Sequence, residues 1–129
     1  MVLLPGDKVS VVRARRIPAE FTDVISSASL HEDGSVEYYF METDDEAFPD
    51  ECTLVSKGNH DGIVPEAKYA VGDYIMFIYD MDKKEYVRKI TEVTKYLDID
   101  EPARIRYTVD CENLDWANEE DVKGKMVLA

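Results

Sequence analysis

Polar and apolar positions follow a two-residue period through much of the chain. Val36, Tyr38 and Phe40 share one side of such a repeat, and Ile105, Tyr107 and Val109 share another. Successive strand residues point to opposite faces, so this spacing predicts strands with one buried face. The runs VSVV, VEYYF, YIMFIY and RIRYTV are rich in β-branched and aromatic residues, which suit a pleated, half-buried surface. HEDGS (His31 to Ser35) marks a turn. No long helix is evident, and EEDVK (Glu119 to Lys123) suits one 3-10 or α turn.

The pattern occurs twice. PGDKVSVVRA from Pro5 and VGDYIMFIYD from Val71 each lead from Gly-Asp into an apolar strand, setting Val9, Val11 and Val12 against Ile75, Phe77 and Ile78. A polar turn and an aromatic follow: Phe21, Ile25 and Ala28 match Tyr86, Ile90 and Val93. SVEYYFME (Ser35 to Glu42) parallels ARIRYTVD (Ala103 to Asp110), and FPDECTLVSK (from Phe48) parallels WANEEDVKGK (from Trp116). Four blocks in one order indicate an internal duplication. The expected fold is all-β, with two small antiparallel barrels in tandem, packed on each other. Curling into barrels hides strand edges. The expected division is a first barrel at 1–57, a linker at 58–70 marked by its glycines and proline, and a second barrel at 71–129.

Length and composition suit that division. The 129 residues fit one ordinary domain or two very small ones, and 45% hydrophobic with 33% charged residues indicates a folding chain. Asp and Glu total 28 against 15 Lys and Arg, a net charge of −13. Phosphates would be repelled, which weighs against nucleic acid as a general partner and favours a basic one. The cluster Arg13, Arg15 and Arg16 is the one feature that points the other way. Cys52 and Cys111 stand apart without a CxxC or Cys/His cluster, so neither a metal site nor a disulfide framework is expected, and a reduced intracellular compartment fits. No apolar stretch approaches the roughly 20 residues that span a membrane, and the apolar run in MVLLPGDKV is too short for a signal peptide. His31 and His60 lie in polar, turn-like stretches and are expected at the surface. No nucleophile stands beside a base, so no catalytic residue and no cofactor is expected.

In VGDYIMFIYDMDKKEYVRKITEV, RIRYTVDCEN and WANEEDV the sequence resembles the Tudor and related barrels of the Royal superfamily, which include agenet and chromo-barrel domains. The resemblance spans nearly the whole chain as a tandem pair and rests on order and spacing rather than on one motif. It implies that the two barrels are SH3-like and Tudor-like, and that the second copy builds an aromatic cage for a methylated lysine, or less commonly methylarginine, from Tyr79, Tyr86 and Tyr107, with Asp110 at the turn position. Ring faces attract such a soft cation, at about 0.5–2 kcal/mol per contact. A carboxylate can accept the N–H that lower methylation states retain.

The first copy departs from this pattern. Arg13 stands where the second has Tyr79, which breaks the cage and suggests a rim position. Trp116, matched to Phe48, reads as a core residue. The function implied is a non-enzymatic reader of a methylated basic peptide such as a histone tail, in the nucleus. The alternative is an adaptor, cytoplasmic in that case, that docks a protein partner without methyl recognition. In either case the acidic loop ETDDEAFPDE (Glu42 to Glu51) can receive a basic tail.

Overall fold

A computed structural model describes residues 3–15, 17–112, 114 and 116–127. Arg16 of the basic cluster and Asn113 of the RIRYTVDCEN stretch lie outside the described residues. The protein is all-β: ten strands and two one-turn 3-10 helices, with no α-helix among the described residues. No helix there is long and apolar enough to cross a membrane. The chain divides into two compact units, 1–64 with 96–103, and 65–95 with 104–129. The first boundary falls inside the segment expected as a linker, and the short excursion 96–103 belongs to the first unit.

The first unit contains β1 (Lys8–Arg13), β2 (Ala19–Leu30), β3 (Val36–Phe40), β4 (Glu46–Ala47) and β5 (Cys52–Ser56). All pairings are antiparallel, in the order β4-β3-β2-β1-β5. Inward residues of β1, β2 and β3 (Val9, Val11, Ile25, Ala28, Tyr38 and Phe40) form its core with Leu3, Leu4 and Leu97. Leu97 arrives from the excursion, where the Ile99 N–H donates to the Ser26 carbonyl at 2.9 Å.

The second unit contains β6 (Tyr74–Ile78), β7 (Glu85–Asp98, its last three residues counted with the first unit), β8 (Arg104–Val109), β9 (Ala117–Asn118) and β10 (Val122–Met126). Its ladder runs β9-β8-β7-β6-β10, the same order element for element. Ile75, Phe77, Ile90, Ile105, Tyr107 and Val109 make its core. In neither unit does a described pairing join the two end strands, so the ladders are open where closed barrels were expected.

The duplication extends to individual hydrogen bonds. Gly6 and Gly72 both adopt left-handed backbone (φ 98° and 95°), which glycine reaches without a Cβ clash. The Gly6 N–H donates to the Ile25 carbonyl at 2.8 Å, and that of Gly72 to the Ile90 carbonyl at 2.9 Å. Asp7 Oδ2 accepts the Leu4 N–H at 2.9 Å, and Asp73 Oδ2 that of Ala70 at 3.0 Å. Each Gly-Asp thus makes a turn that closes on its own side chain and delivers the chain into the first strand.

The closing strands require one correction. Tyr38 pairs with Ala47 and Tyr107 with Ala117, so Trp116 corresponds to Glu46 and not to Phe48. Trp116 is 39% exposed, with the Arg106 guanidinium 4.3 Å from its ring centre, and is not a core residue. Strand register, and not aromatic character, sets the equivalence, two residues away from the Phe48 match.

Candidate binding site

The four residues expected to form a cage do not come together as one. Tyr79 lies just beyond β6, where its N–H donates to the Lys84 carbonyl at 2.9 Å and its carbonyl accepts the Lys83 N–H at 2.8 Å. These bonds close a tight hairpin that brings Tyr86 beside it. The two rings stand edge to face, with centroids 6.2 Å apart and planes at 85°. Tyr86 also stacks on Phe77 at 6.0 Å, and its hydroxyl donates to Asp82, whose carboxylate raises the phenol pKa. The Arg88 guanidinium lies 5.3 Å from the centre of the Tyr86 ring, so an internal cation already occupies part of that face.

Tyr107 belongs to the same hydrophobic cluster but lies fully inside it. It is 0% exposed, its hydroxyl donates to Glu119 Oε2 at 2.5 Å and accepts the Tyr69 N–H at 3.3 Å, and its ring meets Tyr69 edge-on at 5.7 Å. Burial and the Glu119 carboxylate both push its phenol pKa up. A ring without exposed surface cannot touch a ligand, so Tyr107 is core and not a cage wall. The period-two alternation of β8 carried that outcome, since Tyr107 falls between inward Ile105 and Val109. Asp110 is exposed beyond β8, its N–H donating to the Lys89 carbonyl at 2.9 Å.

Arg13, the counterpart of Tyr79, is not at an open rim. It is 7% exposed and its guanidinium spans both carboxylate oxygens of Asp45. The same group donates to the Glu46 carbonyl at 3.0 Å and the Ile17 carbonyl at 3.1 Å. Arg13 holds the Asp45 carboxyl below its ordinary pKa. Arg15 follows suit, with Nε 3.1 Å from Glu51 and its guanidinium 4.0 Å over the Phe48 ring. Arg13 at the end of β1 and Arg15 in the turn after it therefore lie on the acidic segment 45–51 of the same unit.

Beside that segment is a depression of about 250 Å³, lined by Tyr39, Phe40, Met41, Glu42, Thr43, Asp44 and Asp45. Phe40 is buried, Tyr39 and Met41 (53% exposed) are open to solvent, and Glu42 and Asp44 present exposed carboxylates. Asp23 on β2 shapes it. Its carboxylate accepts the N–H groups of Thr43 at 2.8 Å, Glu42 at 3.2 Å and Val24 at 2.6 Å. Burial alone would raise the Asp23 pKa, but a hydrogen bond from the Thr43 side chain together with these backbone bonds outweighs it, and the net shift is downward. In the second unit the equivalent position, by pairing with Ile75 as Asp23 pairs with Val9, is Arg88. One unit thus pins its turn with a buried carboxylate, and the other covers an aromatic face with a cation. Asp23 gave no motif in the sequence; only its inward place in β2 could have marked it.

His60 is also not a simple surface residue, since its Nε2 lies 2.8 Å from the buried Asp7 Oδ1. His31 is half-buried, 3.1 Å from Glu37. No family model matches the chain, and neither a curated protein nor a solved structure matches it.

Proposed function

We propose that this chain is a non-enzymatic protein-binding module, made of two SH3-like barrels each left open along one seam, that docks a Lys/Arg-rich segment of a partner on the acidic depression at 39–45. The observation that carries this reading is the chain's own Arg13 and Arg15, already seated on the adjoining acidic segment through Asp45, Glu51 and Phe48. They display the chemistry that a basic partner would extend. Aliphatic stems of Lys or Arg lie on Tyr39 and Met41, and their charged heads reach Glu42 and Asp44. Exposed ion pairs are each worth at most about 1 kcal/mol. Affinity is therefore modest, while the net charge of −13 speeds encounter and makes binding salt-sensitive.

The test is an NMR titration of the full chain with an unmodified Lys/Arg heptapeptide. Amides of residues 39–45 are expected to move, and the double change Glu42→Lys and Asp44→Lys is expected to weaken binding at least about tenfold, or 1.4 kcal/mol. Responses that avoid 39–45, or unchanged affinity in the double variant, refute the reading.

A second reading rests on the perpendicular Tyr79–Tyr86 pair. The half-buried Tyr86 ring beside the Asp82 carboxylate suits a methylated ammonium once Arg88 swings aside, while Tyr79, 9% exposed, backs that ring from the core. It requires Tyr86→Ala to weaken binding of a methyl-lysine peptide at least about tenfold while leaving the fold intact.

A further inference from the structure

The first unit has a second depression, of about 150 Å³, remote in sequence from residues 39–45. Leu4, Pro5 and Leu97 give it an apolar surface, and Ile63 and Ala103 lie at its lips. Leu4 and Leu97 are buried, whereas Ile63 at the lip is 72% exposed. A space of this size takes a benzene-sized group.

The lip that carries Ile63 is anchored. Asp7 Oδ1 accepts the Gly58 N–H at 2.7 Å and the His60 Nε2–H at 2.8 Å, while His60 Nδ1 accepts the Gly62 N–H at 3.1 Å. With Nδ1 accepting from Gly62, Nε2 is the ring nitrogen that faces Asp7 as donor. Gly58 presses so close to the first turn that a Cβ there would stand 2.3 Å from the Gly6 carbonyl carbon. The hollow is therefore held by backbone packing and a buried carboxylate.

Its electrostatics select the occupant. Asp61 and Asp98 contribute exposed carboxylates to the lining, no Lys or Arg lines it, and both nitrogens of His60 are engaged. We infer that this hollow seats one bulky apolar side chain, leucine or phenylalanine in size, from a partner segment with Lys or Arg on either side of it. The apolar side chain buries surface against Leu4, Leu97 and Ile63, and the flanking cations meet Asp61 and Asp98. This is a separate seat from the acidic depression and does not depend on it.

Three capped heptapeptides, read by NMR titration of the full chain, test the inference: Gly-Lys-Arg-Leu-Lys-Arg-Gly, the same peptide with Ser at the centre, and Gly-Glu-Glu-Leu-Glu-Glu-Gly. The Leu-centred basic peptide is expected to move the amides of Ile63, Leu97 and Ala103 and to bind about tenfold tighter than the Ser-centred one, the worth of burying one such side chain. Ala103→Trp fills the hollow from an exposed position and is expected to erase that preference, and Ile63→Ser to reduce it. Movement at 63, 97 and 103 with none at 39–45 supports this seat and refutes docking at the acidic depression. Equal binding of the Leu and Ser peptides, a preference that survives Ala103→Trp, or equal binding of the acidic peptide overturns the inference. So does sedimentation showing a dimer that Ala103→Trp dissociates, because the occupant is then a second copy.

Discussion

Asp7 and Asp73 occupy equivalent turns but carry different loads, which makes them a matched pair for experiment. Asp7 is 1% exposed and accepts from the Leu4 N–H, the Gly58 N–H and His60 Nε2. Asp73 is partly buried and accepts from the Ala70 N–H and an exposed Lys125 at 3.1 Å. Asp7→Ala strands three donors, each costing on the order of 1–3 kcal/mol, against which the relief of burying a charge is offset. The expected net loss is about 3 kcal/mol, a melting temperature roughly 10–15 °C lower for a chain of this size. Asp73→Ala is expected to cost about 1 kcal/mol, because its second partner is a surface ion pair.

Urea unfolding followed by circular dichroism measures both. A loss below about 0.5 kcal/mol for Asp7→Ala, or equal losses for the two variants, refutes the assignment of Asp7 as the anchor of the 58–62 segment. The pH dependence gives a second reading. Burial opposes ionisation of Asp7, but bonds from Gly58, Leu4 and His60 prevail, and its pKa is lowered in the fold. Its contribution is therefore fully present above the unfolded carboxylate pKa of about 3.9, and is lost as pH falls through the lower folded value. Asp7→Asn is expected to flatten the fall in stability below about pH 4. An acid limb identical to that of the wild type contradicts the assignment.

Two further changes separate the units. Arg13→Met leaves Asp45 beside a buried apolar chain, with an expected cost of about 2 kcal/mol, less than a fully buried broken pair because Asp45 is partly exposed. A double-mutant cycle with Asp45→Asn is expected to give a coupling of at least about 0.5 kcal/mol, and additive losses would show that the pair is idle. Tyr107→Phe removes the bond to Glu119 and the acceptor of the Tyr69 N–H, at an expected cost of about 1–2 kcal/mol in thermal unfolding, with no effect on peptide affinity. A loss of binding without a loss of stability would return Tyr107 to the ligand site.

The strands and the duplication were legible because both rest on local pattern. Alternation at Val36, Tyr38 and Phe40 and at Ile105, Tyr107 and Val109 marks the inward faces of β3 and β8, and Gly-Asp marks both entry turns. What stayed hidden depends on long-range placement. Asp7, Asp23 and Arg13 are charged residues whose burial is repaid by partners 20 to 53 positions away. Nothing in VSVVR distinguishes a rim arginine from one clamped on Asp45. Tyr107 misled for a related reason, since a tyrosine late in a strand suits a cage and a core equally until Glu119 is seen to take its hydroxyl. Trp116 was misplaced because aromatic character was matched where strand register decides.

Isothermal titration of the wild type with one Lys/Arg peptide, prepared both unmodified and with its central lysine trimethylated, tests docking without methyl recognition most directly. Equal affinities within about twofold are expected for the two forms, both weakened by raised salt. Trimethyl binding tighter by about tenfold and abolished by Tyr86→Ala would contradict that expectation and identify the Tyr79–Tyr86 pair as the site.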